Sequence, residues 1–377
     1  MSAIKSFIDH LETVEDPRIL GLVTYPLNEI LLCTLCAIIC RNQDWEDISC
    51  WGKYHLKWLR KFLPFKAGVA KSITFARVFN ALNSATFKAC FEGWISNLPR
   101  NLAGKQIAID GKTIRGSKLE PGGGGAAHIV SAFVHEYGLV LTQEKVSEKS
   151  NEITAIPELL TNLALDGSII SIDAMGTQKE IASQIVNKKA DYVLSLKENQ
   201  KSLYDDVVLF LNDPDKDVIY DEYEDTDAGH GRIEVRNCKV IRDIDWLQLR
   251  HPQWSKLGSI VRVNSLRIDK KTLKEARQSR YYISSLRVNA KAMLSYVRNH
   301  WSVENKLHWI LDMNFKEDSC RTRVEHGAEN LALMRKSALN LIKYHNPDDT
   351  KTTVKSKMLR ATYDSNYLKS LLIGNNQ

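Results

Sequence analysis

At Gln106 the hydrophobic period of this chain changes from 3.6 residues to two, and that switch constrains the fold more than any other feature. Before it, apolar residues recur at helical spacing. Residues 26–41 predict a buried helix, with Pro26 in the first turn and Leu27, Ile30, Leu31, Leu35, Ile38 and Ile39 forming a wide apolar stripe. Trp51, Tyr54, His55, Trp58, Leu59 and Phe62 step at i, i+3, i+4, i+7, i+8 and i+11. This predicts a second helix with its rings on one face and Lys53, Lys57, Arg60 and Lys61 largely on others. A third helical stretch covers 73–98. After the switch, residues 106–110 read as a strand broken by Gly111, and 127–134 and 139–146 as a hairpin around a turn at 136–138. A helix over 152–165, capped by Ser150 or Asn151, a strand over 168–173, a helix over 178–188 and a strand over 191–196 complete a β-β-β-α-β-α-β order, which predicts an α/β domain. Residues 205–286 read as mainly β, with strands over 233–241, 258–268 and 280–286, and helices return over 290–311 and 325–344. The resulting scheme has a helical unit over 1–100, the first part of a core over 101–204, a β-rich insertion over 205–287, the helical last part of the core over 288–346 and a basic tail over 347–377.

With 377 residues, 44% hydrophobic and 26% charged, the chain can bury a full core without disulfides. The apolar run ILLCTLCAIIC at 30–40 is far short of the roughly 20 residues a bilayer requires, so no membrane span is expected. Seven cysteines suit reduced thiols, and nothing at the N-terminus reads as an export signal, so the cytoplasm is the expected compartment. The formal net charge of +7 is unevenly spread. From Ile48 to Phe91 there is no carboxylate, while Lys53, Lys57, Arg60, Lys61, Lys66, Lys71, Arg77 and Lys88 all fall there, a one-signed patch suited to nucleic-acid phosphates. The run from Asp205 to Asp227 is strongly acidic.

Asp110 and Asp173 each end a predicted strand on the face opposite its isoleucines, and ligands of open α/β sheets collect at such strand ends. Either aspartate alone reads as a turn former; the pair points to a site. Glu304 lies on a predicted helix whose Val297, His300, Glu304, His308 and Leu311 share a face. Two carboxylates and a third from a helix can hold two divalent cations for phosphodiester chemistry, and oxygen donors favour Mg²⁺ or Mn²⁺ over Zn²⁺. Glu317 and Asp318 are the alternative third carboxylates. Cys33, Cys36 and Cys40 read as core, as do Trp301 and Trp309, and the run Gly122–Gly125 lacks the spacing of a phosphate cradle. Lys112 and Arg115 follow Asp110, and Lys197 and Lys201 follow the strand over 191–196, so both loops are candidates for contacts with DNA phosphates.

The stretches IAIDGKTIRGS, HIVSAFVHEYGLVL, EKSNEITAIPELL, IISIDAMGTQKEIA, ADYVLSLKENQ, GHGRIEVR, RYYISSL and RNHWSVENKLHWILDMNFKEDSCR, in this order, resemble the H-repeat-associated group of DDE insertion-sequence transposases. The resemblance implies a ribonuclease H-like mixed sheet flanked by helices, with a β-rich insertion before the last catalytic acid. It also implies that Asp110, Asp173 and Glu304 are the catalytic triad holding two Mg²⁺ or Mn²⁺ ions. His230 and Arg232 in GHGRIEVR become DNA-contact candidates through the same likeness. Where related transposases carry Tyr, Arg and Lys around the glutamate, this chain has Val297, His300 and Leu311, and Arg298 is the candidate substitute. The expectation is therefore a DNA transposase that binds terminal inverted repeats, cleaves and joins strands, and acts as a homodimer on its ends and target DNA. The competing readings are a metal-dependent nuclease without strand transfer and a non-catalytic DNA-binding remnant.

Overall fold

The computed structural model describes residues 9–98, 101–118, 125–147, 150–212, 219–229, 231–346, 349 and 351–373. Along the chain, the N-terminal helices are α1 (Leu27–Ile39), α2 (Trp45–Tyr54), α3 (Leu56–Leu59), α4 (Ser72–Ala81) and α5 (Ser84–Ser96). There follow β1 (Gln106–Thr113), β2 (His128–Val134), β3 (Leu139–Lys145), α6 (Glu152–Thr161), β4 (Ile169–Ile172), α7 (Lys179–Asn187), β5 (Asp191–Leu196) and α8 (Lys201–Asn212). Then come β6 (Asp221–Gly229), β7 (Arg232–Ile241), α9 (Asp245–Arg250), β8 (Ser259–Asp269), β9 (Glu275–Ser284) and α10 (Ala290–Val303). A π-helical turn at Glu304–His308 leads to α11 (Trp309–Phe315), α12 (Gly327–Tyr344), α13 (Val354–Tyr363) and α14 (Ser365–Ile373). The fold is mixed α/β, with a nine-stranded mixed sheet in the order β3-β2-β1-β4-β5-β9-β8-β7-β6.

By contact the chain falls into two units, one of residues 1–100, 111–149 and 304–377, the other of 101–110 and 150–303. In the first, α12 is the buried axis: Leu331, Ala332, Leu333, Met334, Ala338, Leu339, Leu341 and Ile342 are inaccessible, and the helix packs on α1, α4, α5 and β3. Asn340 binds β3 as a neighbouring strand would, accepting from the Val140 N–H at 2.9 Å and donating to the Val140 carbonyl at 2.8 Å. Asn330 donates to the carbonyls of Phe79 and Leu82, tying α12 to the end of α4. In the second unit β1, β4 and β5 pair in parallel, β9 joins β5 antiparallel, and β8, β7 and β6 follow antiparallel. The strands of the insertion thus extend the sheet. Helix α10 covers them, burying Ala290, Met293, Leu294 and Val297 against Val193, Cys238, Val240, Val261 and Val263.

The structure corrects several expected elements. The stretch from Trp51 to Phe62 is not one helix: at His55 the backbone leaves helical dihedrals (φ −102°, ψ 13°) and the ring stacks on Trp51 at 4.3 Å, so Tyr54 is exposed. The stretch 73–98 is two helices because Asn83 accepts from the N–H groups of Ala85 and Thr86 and starts a new one. Gly111 does not end β1, which runs on to Thr113. Asn151, not Ser150, caps α6 through the Ile153 N–H. The acidic stretch, read as part of a mainly β region with its first strand at 233, contributes instead the end of helix α8 and a further strand β6, whose carboxylates face cations on β7: Glu222 lies 3.5 Å from Lys239 and Asp225 3.8 Å from Arg236. Cys33, Cys36 and Cys40 are buried in α1 as expected; burial pushes the Cys33 and Cys40 thiols up to about 12, which keeps them neutral.

Candidate active site

Two parallel strands set the site. The register of β1 against β4 pairs Ile107 with Ile170 and Ile109 with Ile172, so Asp110 and Asp173 are the next residues at the same edge of neighbouring strands. The isoleucines face inward and are fully buried, while both aspartates are half-buried. Strand β4 stops at Ile172, and the Asp173 carboxylate shapes the turn beyond it. Its Oδ1 accepts from the N–H groups of Met175 at 3.0 Å and Gly176 at 3.2 Å, leaving Oδ2 for another partner. The Thr177 hydroxyl donates to the carbonyls of Asp173 and Ser195, tying this turn to the end of β5. Gly176 is required by close approach: a Cβ there would lie 2.4 Å from Ile172 Cγ2 and 2.6 Å from Ile156 Cδ1. Burial holds the Asp173 carboxyl above the ordinary carboxylate range and Glu152 adds to this, against the two N–H bonds and the charge of Lys197.

Helix α10 is keyed to the same two strands. Gln106 donates from Nε2 to the Ser171 hydroxyl at 2.9 Å and to the Tyr296 carbonyl at 2.8 Å, and His300 Nδ1 lies 3.1 Å from the Ser171 oxygen. These bonds set the rotation of the helix, and Glu304 follows His300 by one turn. At Glu304 the α-helix gives way to a π turn, a one-residue expansion frequent at functional sites. Glu304 is exposed, and its carboxylate lies 3.5 Å from His308 Nδ1. Beside Asp173 opens a cleft of about 660 Å³ lined also by Lys197, Tyr281, His300 and Trp301, with the Arg280 guanidinium 4.5 Å above the Trp301 ring. Trp301 and Trp309, expected to be packed, are about half exposed.

The basic candidates are placed unequally. Lys53, Lys57, Arg60 and Lys61 are all exposed. Lys112 is held inward, with Nζ 2.7 Å from Asp312, 2.9 Å from Asp318 and 3.4 Å from Glu317. Burial alone would depress its ammonium pKa, but the three carboxylates outweigh this and raise it. Glu317, the alternative third carboxylate, is thereby accounted for as a buried counter-ion. Arg115 is exposed and 3.4 Å from Asp318, and Lys201 is exposed and pairs with Asp205 at 2.8 Å. Arg232 is partly exposed near Glu234, and His230 lies outside the described residues. Arg298 points to β6, where it meets Asp225 at 2.5 Å and Asp227 at 3.4 Å. Sequence reasoning overlooks Gln106 and Ser171, whose only signal is polarity inside an otherwise apolar strand.

Residues 8–95 match the model of the DDE_Tnp_1-associated domain and residues 103–341 that of the transposase DDE domain. The chain is 38% identical to the "H repeat-associated putative transposase YhhI" of Escherichia coli K12, over 98% of each chain. The chain belongs to the H-repeat-associated DDE transposases. It is also 38% identical to the "Putative transposase YncI" of Escherichia coli O157:H7, over 98% of this chain and 95% of the relative. A DDE transposase is a nucleic-acid-cleaving enzyme that acts on DNA with divalent metal ions, and the donors at this strand edge fit that requirement. Asp110 and Asp173 offer hard oxygen ligands at the ends of neighbouring strands, and a half-buried carboxyl such as Asp173, costly to ionise alone, gains from a cation beside it. No helix of this transposase, among the described residues, is long and apolar enough to cross a membrane.

Proposed function

We propose that this transposase binds the terminal inverted repeats of its own element as a homodimer, nicks the DNA to free a 3′-hydroxyl, and uses that hydroxyl to attack target DNA. Asp110, Asp173 and Glu304 hold two Mg²⁺ or Mn²⁺ ions, which when bound supply charge for the attacking and leaving oxygens of an in-line displacement. The protein's own part is placement. The turn at Met175 and Gly176 orients the Asp173 carboxylate, and Gln106, Ser171 and His300 set the rotation of the helix leading to Glu304. Lys197, whose charge acts on Asp173, is the cation best placed to meet the scissile strand, and the exposed lysines of the N-terminal helices meet the repeats.

The observation that carries this reading is the register that puts Asp110 and Asp173 at the same edge of adjacent parallel strands. The test incubates pre-cleaved end DNA with plasmid and Mg²⁺. Joined products are expected; release of hydrolysed strands alone marks a nuclease, and no chemistry at all marks a DNA-binding remnant. Asp173→Asn should lower joining by roughly a thousandfold, the loss of several kcal/mol of metal-borne stabilisation, with an unchanged circular dichroism spectrum. Undiminished joining by that variant would remove Asp173 from the site.

A further inference from the structure

Arg335, in the middle of α12, is 1% exposed, yet among the described residues neither its Nε nor its Nη1 has a hydrogen-bond partner. Nη2 reaches only the Gln43 carbonyl, at 3.5 Å. A buried guanidinium without a counter-charge is strongly destabilising, so it needs an anion and not merely hydrogen-bond acceptors. Water could satisfy the N–H groups and would leave the charge uncompensated. The residue lines a cavity of about 550 Å³ whose wall also carries Lys316, Arg321 and Arg323. The carboxylates on the wall, Asp44 and Asp47, do not supply the missing partner. Asp44 accepts from the Asp47 N–H, and Asp47 feels the charge of Lys316. Four cations against two carboxylates leave the wall net positive. Two more side chains on the wall, Gln43 and Asn80, have buried amide oxygens without partners, Oε1 and Oδ1, which can accept a hydrogen bond from a protonated ligand oxygen.

We propose that this cavity is a binding site for a terminal phosphate group, with Arg335 at its floor and Arg321 and Arg323 nearer its mouth. A terminal phosphate group carries between one and two charges near neutral pH and, part of the time, one P–OH donor, which matches a floor of guanidinium donors bordered by amide acceptors. Two sources share this chemistry: free inorganic phosphate, and the 5′-phosphate at the end of a cut DNA strand. The site involves none of Asp110, Asp173 and Glu304, so it stands apart from the proposed strand transfer.

The experiment is calorimetric titration of the full chain with inorganic phosphate in EDTA at constant ionic strength, so that metal-held phosphate does not contribute. Saturable binding is expected, weakened about tenfold or more in Arg335→Met, the loss of charge-assisted hydrogen bonds. Because the methionine removes an uncompensated charge, the variant should melt no lower than the wild type in phosphate-free buffer. Arg321→Ala, exposed at the mouth, should weaken binding in the same direction and guards against a folding failure of the first variant. Competition by a 5′-phosphorylated oligonucleotide, but not by its 5′-hydroxyl counterpart, assigns the strand end as the source; failure of both to compete assigns the free anion. Equal competition by the two, no phosphate binding by the wild type, or undiminished binding by both variants would overturn the proposal.

Discussion

Lys336 follows Arg335 on α12 and is itself buried, its ammonium donating to Gln143 Oε1 at 2.7 Å. Burial drives its pKa down from 10.5 to about 8, with Glu317 opposing and Lys112 and Arg335 reinforcing the fall. Between those values the unfolded chain binds a proton that the folded chain does not, so stability rises with pH across that window. Below about 8 the charge penalty is fully present. Lys336→Met should therefore stabilise the fold at pH 7 by about 1–3 kcal/mol, and the advantage should shrink as pH climbs towards 10. Urea denaturation of both proteins at pH 7 and pH 10 measures this; an advantage independent of pH would mean that burial does not depress the Lys336 pKa. Such a residue is hard to anticipate from the sequence, where MRKSALN reads as an ordinary amphipathic helix with its cations in water.

The π turn at Glu304–His308 is the element whose geometry most bears on the proposed chemistry, since it sets the direction in which Glu304 leaves the helix keyed to β1 and β4. Deleting Asn305 should return the turn to α geometry, keep the melting temperature within a few degrees and abolish joining of end DNA. Retained joining would show that the expansion has no part in placing the glutamate. Nothing in the sequence around Glu304 signals this turn. The central strands, by contrast, were legible: β4 and β5 are apolar runs closed by polar residues because parallel strands are covered on both faces. Asp110 and Asp173 were legible for the same reason, as the first charges after such runs. Strand β6 was not, because DEYEDTDAG has no intrinsic strand preference and is strand only through its pairing with β7. The partners of Arg298 were hidden likewise, since Asp225 and Asp227 reach it through the tertiary fold.

At the scale of the whole molecule, the match to the associated domain over residues 8–95 takes in the carboxylate-free stretch, which presents Lys53, Lys57 and Lys61 to solvent. Reversing these three to glutamate should weaken end-DNA binding and reduce the slope of log affinity against log salt by roughly one to three, measured by fluorescence anisotropy. An unchanged slope would move end recognition elsewhere in the chain. At the opposite extreme of charge, the sheet terminates in β6, with one side of its backbone unpaired by any further strand among the described residues and Asp221, Glu222, Glu224, Asp225 and Asp227 along its length. A neighbouring copy trying to lay an extended segment on that margin would meet carboxylates already matched to Lys239, Arg236 and Arg298, and would have to disturb those ion pairs to add a strand there.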